Sequence, residues 1–193
     1  MNSVETYQEA LGRYAARALK VRSGEPAWLD ASRRNAAAAF LEVGFPTERE
    51  EIWRYSDLTP LLSIPFQPGG SAEARVVESL LSEVLPVPGA IRLVFVDGRY
   101  ESRYSTPGDP AKGLKAGSLA KAIREGFVPP QDAWNQTPLS PAFFNLNTAL
   151  FEDGALIQVA KGVELESPLH LVFVTTFAGK PSESNPRNLI LLD

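Results

Sequence analysis

The densest set of side chains able to do chemistry lies in EEIWRYSDL, residues 50–58. Trp53 and Tyr55 stand two residues apart there, with Arg54 and Asp57 beside them. Rings of this kind can stack on a base, a sugar or a cation, and they are enriched where proteins grip one another. They can equally anchor a loop, because burying a large side chain gains ~1.5–3 kcal/mol. Burial is the usual fate of large apolar rings. The expectation is therefore that both rings clamp the surrounding helical region, and that Trp53→Ala unfolds it. Trp53, Tyr55 and Asp57 are the candidates for an interaction surface.

The rest of the chain offers little other chemistry. His170 is the one histidine, set in SPLHLVFV between Leu169 and Leu171, and should face opposite to them. A metal site needs more ligands than that. There is no cysteine, which removes disulfides, thiolate metal sites and thiol catalysis. No phosphate-cradling glycine motif and no G-x-S-x-G elbow occurs. Glu50 and Glu51 are adjacent, and neighbours on a helix do not face one another. Asn135-Gln136-Thr137 matches a glycosylation sequon but comes without a secretion signal. Arg13, Arg17 and Lys20 share a helical face; Glu9, four residues before Arg13, makes this an ordinary solvated face. No catalytic, cofactor-binding or metal-binding residue is assigned.

These side chains must be positioned by a chain of 193 residues, enough for one large domain or two small ones. Its apolar content of 44% and charged content of 22% are those of an ordinary globular protein. A net charge of −4 disfavours nucleic acid as a partner, since phosphate contact is driven by Lys and Arg. No apolar run approaches the ~20 residues needed to span a bilayer. The polar N-terminus, MNSVETYQEALGR, has no apolar signal core. A soluble, cytoplasmic chain is expected.

Periodicity then supplies the elements. Val4, Tyr7, Leu11, Tyr14, Ala18 and Val21 form one helical stripe. Pro26 leads a second helix to about Val43, stopped by Gly44. Thr47 and Glu50 fit a capping box, with Trp53 at the end of the short helix it starts. Residues 63–72 read as a loop and Glu73–Leu85 as a third main helix. IRLVFV-DG-RYESRY reads as a β-hairpin around Asp97-Gly98. Leu119–Glu125 is a short helix stopped by Gly126, 127–141 a long loop, and Pro141 to about Glu152 one more helix. From Asp153 onward the chain turns to strands, ending in NLILLD. A strand there needs neighbours on its edges, so the chain is expected to be the front part of a longer protein. Two domains are expected: a mainly helical one over 1–140 and a β region over 141–193.

The segment GFPTEREEIWRYSDLTPLL, residues 44–62, resembles the N-terminal signature of the SufD subunit of the SUF iron–sulfur cluster assembly machinery. LVFVDGRY (93–100), FFNLNTALFEDGALIQVAKGVELESPLHLVFV (143–174) and NPRNLILLD (185–193) resemble later parts of that family, in the same order. The sister subunit SufB shares the Lys-Gly-Val stretch but is not expected to carry the Trp-Arg-Tyr-Ser-Asp-Leu segment. The resemblance implies an α+β fold: an N-terminal helical domain with a small β-hairpin, leading into the first coils of a right-handed parallel β-helix. It implies a non-catalytic subunit that pairs with a SufB-like subunit and a SufC-like ATPase and helps pass clusters to apoproteins. It places the ATPase contacts and cluster-building residues beyond Asp193. No cofactor is implied within 1–193, the iron–sulfur cluster belonging to the full complex, and His170 receives no metal role. Two other readings remain. One is a β-helix carbohydrate-active enzyme using an Asp/Glu pair ~5–10 Å apart. The other is a stand-alone adaptor whose β region closes on a second copy.

Overall fold

The computed structural model describes residues 3–20, 22–70, 73–109, 112–136, 140–176 and 179–192. In chain order the elements are α1 Ser3–Ala18, α2 Ala27–Val43, a 3-10 turn Glu51–Trp53, α3 Thr59–Leu62, β1 Gln67–Pro68, α4 Ala74–Ser82, β2 Ile91–Val96, β3 Arg99–Tyr100, a 3-10 turn Ser102–Tyr104, β4 Leu114–Ser118, α5 Leu119–Arg124, α6 Gln131–Trp134, α7 Pro141–Leu150, β5 Ala155–Val159, β6 Leu169–Val174, β7 Ser182–Glu183 and β8 Leu189–Leu192. They divide into two units: Met1–Phe66 with Thr137–Leu150, and Gln67–Gln136 with Phe151–Asp193.

The first unit is helical. Of the expected stripe of α1, Ala18 is buried and Tyr7, Leu11 and Tyr14 pack against the same core, which Ala10 joins, while the Val4 side chain lies outside what is described. Val21, the last expected member, lies outside the described residues. The stripe meets Ala36, Ala37 and Phe40 of α2 and Leu146, Ala149 and Leu150 of α7. Phe45 sits among the rings of Tyr7, Tyr14, Phe40 and Phe143, at centroid distances of 6.0, 5.4, 5.1 and 6.2 Å. Gly44 ends α2 at φ 73°, its N–H donating to the Phe40 carbonyl at 2.7 Å. A Cβ here would run into the Tyr7 hydroxyl, which itself donates to the Phe45 carbonyl at 3.2 Å. Glycine is thus required twice over, by φ and by space. The C-terminal end of α7 is capped by arginines. Arg22 and Arg33 each donate to the Ala149 carbonyl, at 2.8 and 3.1 Å, where the helix dipole favours a cation.

The second unit carries the strands in three sheets, ordered β1-β7, β3-β2-β6 and β4-β5-β8. The chain visits these sheets in turn. From β5 it passes to β6, then β7, and β8 returns to pair parallel with β5. Likewise β6 pairs parallel with β2, and β7 parallel with β1. The registers set like on like: Val94 beside Val172, Phe95 beside Phe173, Ile157 beside Ile190. The Phe95 and Phe173 rings stack at 5.0 Å with planes 16° apart. Both faces of β2 are covered. Leu93 and Phe95 pack with Leu114, Ala155 and Ile157, while Val94 and Val96 pack with Val77 of α4 and with Val172 and Val174. That is why LVFV, residues 93–96, is apolar without alternation.

Several sequence expectations need correction. The Asp97-Gly98 turn is present, with positive φ at both residues (49° and 84°), but its second strand is only two residues long. The Ser105 hydroxyl accepts the Val94 N–H at 2.9 Å and the chain turns into the 3-10 segment. The long partner of β2 is β6, over six registered pairs. Residues 63–72 are not all loop, since Gln67–Pro68 pairs with β7. The 127–141 stretch holds α6. The strand β4, LKAGS, was not foreseen; Lys, Ala and Gly are poor strand formers, and pairing with β5 overrides that. The helix Pro141–Leu150, placed by sequence with the second region, packs against α1 and α2.

Asp153, missed as well, ties this unit together. It is 7% exposed and accepts from the Tyr100 N–H (3.0 Å), the Ser118 hydroxyl (2.8 Å), the Ala120 N–H (3.0 Å) and the Gly154 N–H (2.8 Å). A buried carboxylate is tolerated when its oxygens are satisfied this fully. Asp97 does the same on a smaller scale, accepting the Thr176 N–H at 2.7 Å and its hydroxyl at 2.6 Å.

Candidate functional site

The EEIWRYSDL segment lies wholly in the helical unit. The capping box is half formed: the Glu50 carboxylate accepts the Thr47 N–H at 3.1 Å and the Thr47 carbonyl accepts the Glu50 N–H at 3.0 Å. The helix that follows is a single 3-10 turn, Glu51–Trp53. Because this turn is so short, its side chains leave in different directions. Trp53 is half-buried and packs on Phe143, ring centroids 5.3 Å apart. Tyr55 is 93% exposed and Ile52 is 67% exposed. The expectation that both rings clamp the helical region holds for Trp53 and fails for Tyr55, which lies past the end of the turn with no core within its reach.

Asp57 has a local task. Its Oδ1 accepts the Thr59 N–H at 2.9 Å at the start of α3. The bond from the Thr59 backbone, then that from its side chain, hold the carboxyl below its ordinary pKa; desolvation opposes this only weakly on so exposed a group.

Asp57 also lines an open groove of about 370 Å³ with Tyr7, Pro46, Arg49, Leu58 and Thr59. Its lining is mixed: apolar Pro46, Leu58 and Leu62, the Tyr7 phenol, and the charged side chains of Glu48, Arg49 and Asp57. Tyr55 and Ile52 are on the same chain segment but do not line it. The groove was not legible in sequence, because it needs α1 and the 46–59 segment together. The Arg13 face is less solvated than its pattern implies. Arg13 donates to the Leu62 carbonyl at 2.7 Å and Arg17 lies over the Tyr14 ring at 5.3 Å.

His170 sits in β6, in register with Arg92. Among the described residues no three His, Cys, Asp or Glu side chains converge as metal ligands, and no helix is long and apolar enough to cross a membrane.

The fold and groove thus define a two-unit chain of mixed helix and strand that presents a surface groove on its helical unit. Residues 1–171 match the family model for the SufBD protein N-terminal region. An iron–sulfur cluster assembly SufBD family protein of Synechocystis is 30% identical over 164 residues, which cover 83% of this chain and 36% of the relative. The chain belongs to the SufBD family. It spans about a third of the length of this curated relative.

Proposed function

We propose that this chain is the N-terminal part of a SufD-type subunit, serving as a non-catalytic scaffold in iron–sulfur cluster assembly. The observation that carries the reading is the family match over residues 1–171. The SufD assignment, rather than SufB, rests on the Trp53-Arg54-Tyr55-Ser56-Asp57-Leu58 segment. The parallel, in-register return of β8 onto β5, with β6 on β2 and β7 on β1, supports the opening turn of a parallel β-helix. Further coils of a longer chain would pair on the outer edges of β6, β7 and β8. The partners are a SufB-like subunit and a SufC-like ATPase, the clusters pass to apoproteins, and the setting is the cytoplasm. The exposed Tyr55, with Ile52 and the Asp57 groove beside it, is the docking surface of the helical unit.

The test is co-purification of the longer parent, and separately of residues 1–193, with SufB- and SufC-like proteins. Retention of both by the parent supports the reading. Retention of SufB by 1–193 alone assigns an interface to the present chain. A parent that retains neither overturns the assignment.

A further inference from the structure

The groove on the helical unit has a charge pattern that its neighbours extend. Residues 47–58 carry four carboxylates, Glu48, Glu50, Glu51 and Asp57, against two guanidinium groups, Arg49 and Arg54. This short stretch therefore holds half of the chain's net charge of −4, and all six side chains are exposed. Two of the carboxylates line the groove itself. Glu48 comes from the stretch after α2 and Asp57 from the stretch before α3, so each of the two segments contributes one. Among the described residues Glu48 joins no ion pair, and the bond that Asp57 accepts comes from the Thr59 amide, not from a cation.

The other lining groups suit what surrounds a positive charge on a protein segment. Pro46 and Leu62 are buried and Leu58 is half-buried. Tyr7, whose hydroxyl is taken by the Phe45 carbonyl, has its ring left to offer. Lysine and arginine lay their methylene stems along apolar surface while the charge stays in water, and an aromatic ring attracts a cation.

The openness of the groove decides what kind of molecule gains most from it. Sites for small molecules enclose most of their ligand, which an open groove does not do. A chain segment can continue past the groove. The residues that join its two lining segments hold Ile52 and Tyr55 in solvent, 67% and 93% exposed, and aromatic side chains are enriched where proteins grip one another. The same carboxylates repel the phosphates of a nucleic acid.

We propose that the groove docks a segment of a partner protein in which an apolar side chain is flanked by lysine or arginine. The apolar side chain lies against Pro46, Leu58 and Leu62, and the cations meet Glu48 and Asp57. This rests on the docking role given to the groove above and not on the SufD assignment.

The test titrates three blocked peptides into the 193-residue chain: acetyl-Gly-Lys-Leu-Lys-Gly-amide, its Glu-Leu-Glu counterpart and its neutral Gln-Leu-Gln counterpart. Backbone amide resonances report where each one binds. The lysine peptide should give saturable shifts centred on Tyr7, 46–49 and 56–59, and bind about fivefold tighter than the neutral one. Added salt should weaken it. Glu48→Lys should weaken the lysine peptide about fivefold, and Arg49→Glu should tighten it by a similar factor. A gain of affinity at Arg49 is not what a merely structural role would produce. Equal binding of the neutral or the acidic peptide overturns the charge class. Shifts elsewhere, or none, overturn the site, and so do concentration-dependent shifts at these residues without peptide, which would make a second copy the occupant. The wild-type comparison decides even if a variant fails to fold. It is also separate from the co-purification: the peptide can fail while the parent retains SufB- and SufC-like proteins, and bind while the parent retains neither.

Discussion

Arg33 grips Glu25 at two points, and the same guanidinium reaches the last carbonyls of α7, Thr148 at 3.3 Å and Ala149 at 3.1 Å. One buried charge therefore joins the start of α2 to the end of α7, within the helical unit. Removing one member of such a pair is costly because the other charge is left behind. The guanidinium keeps its carbonyls, and Glu25 is partly exposed, which softens the loss. We expect Glu25→Ala to lower the unfolding free energy by about 1.5–3 kcal/mol, the range for hydrogen bonds to charged groups. Urea titration reads this directly, and a change under about 0.5 kcal/mol would show that the pair contributes little.

Gly154 is fixed by space. A Cβ on it would overlap the backbone carbonyl of Arg187, and backbone cannot rotate aside as a side chain can. Its neighbour Asp153 supplies the acceptors for four donors. Asp153→Asn turns one acceptor oxygen into a donor facing other donors, at a cost of about 1–3 kcal/mol. Gly154→Ala is expected to cost more, since β5 and the Arg187 segment must part. Thermal unfolding of the two variants tests the order; an Ala variant as stable as wild type would contradict the close approach.

Below its normal pKa in the folded chain, Asp57 stabilises α3 when ionised. The sign follows from linkage. A depressed folded-state pKa gives stability that is present above the unfolded carboxylate pKa, ~3.9, and lost as pH falls through the lower folded value. The Thr59 amide should therefore titrate with a midpoint under the usual aspartate range, and the start of α3 should loosen only in acid. Asp57→Asn keeps an acceptor but no titration, so the Thr59 resonance should become flat with pH. A midpoint at the ordinary aspartate value would remove the proposed bond from solution.

The elements that were legible in sequence are those set by local chemistry. The stripe of α1, the Gly44 stop, the Asp97-Gly98 turn and the short helix α5 ahead of Gly126 all depend on residues within a few positions of one another. What was missed depends on distant partners. β4 exists because β5 lies beside it, and β1 because β7 does. The weight of Asp153 needs Tyr100, Ser118 and Ala120 brought together from up to 53 positions away. In the sequence Asp153 marks only where the chain turns to strands, with no sign of the donors waiting for its carboxylate. The candidate site divides the same way: WRYSDL was visible as a cluster, whereas the opposite fates of Trp53 and Tyr55 follow from a 3-10 turn too short to carry both rings inward.

That divergence separates stability from binding at neighbouring positions. Trp53 shares its buried face with Phe143. Such a pair contributes ~0.5–1.5 kcal/mol beyond the area it buries. Trp53 is only half-buried, so Trp53→Ala should cost about 1–3 kcal/mol and leave the helical unit folded but weaker. Tyr55 is almost fully solvated, and surface substitutions of that kind stay within about ±0.5 kcal/mol. Tyr55→Ala should therefore unfold at the wild-type midpoint. If the surface docks a SufB-like partner, the same variant should release that partner at least tenfold faster, because tyrosines at interface centres carry a large share of binding energy. Surface plasmon resonance on the parent subunit gives the rate, and equal dissociation from wild type and Tyr55→Ala would take this ring out of the interface while leaving the Asp57 groove to be tested by Arg49→Ala.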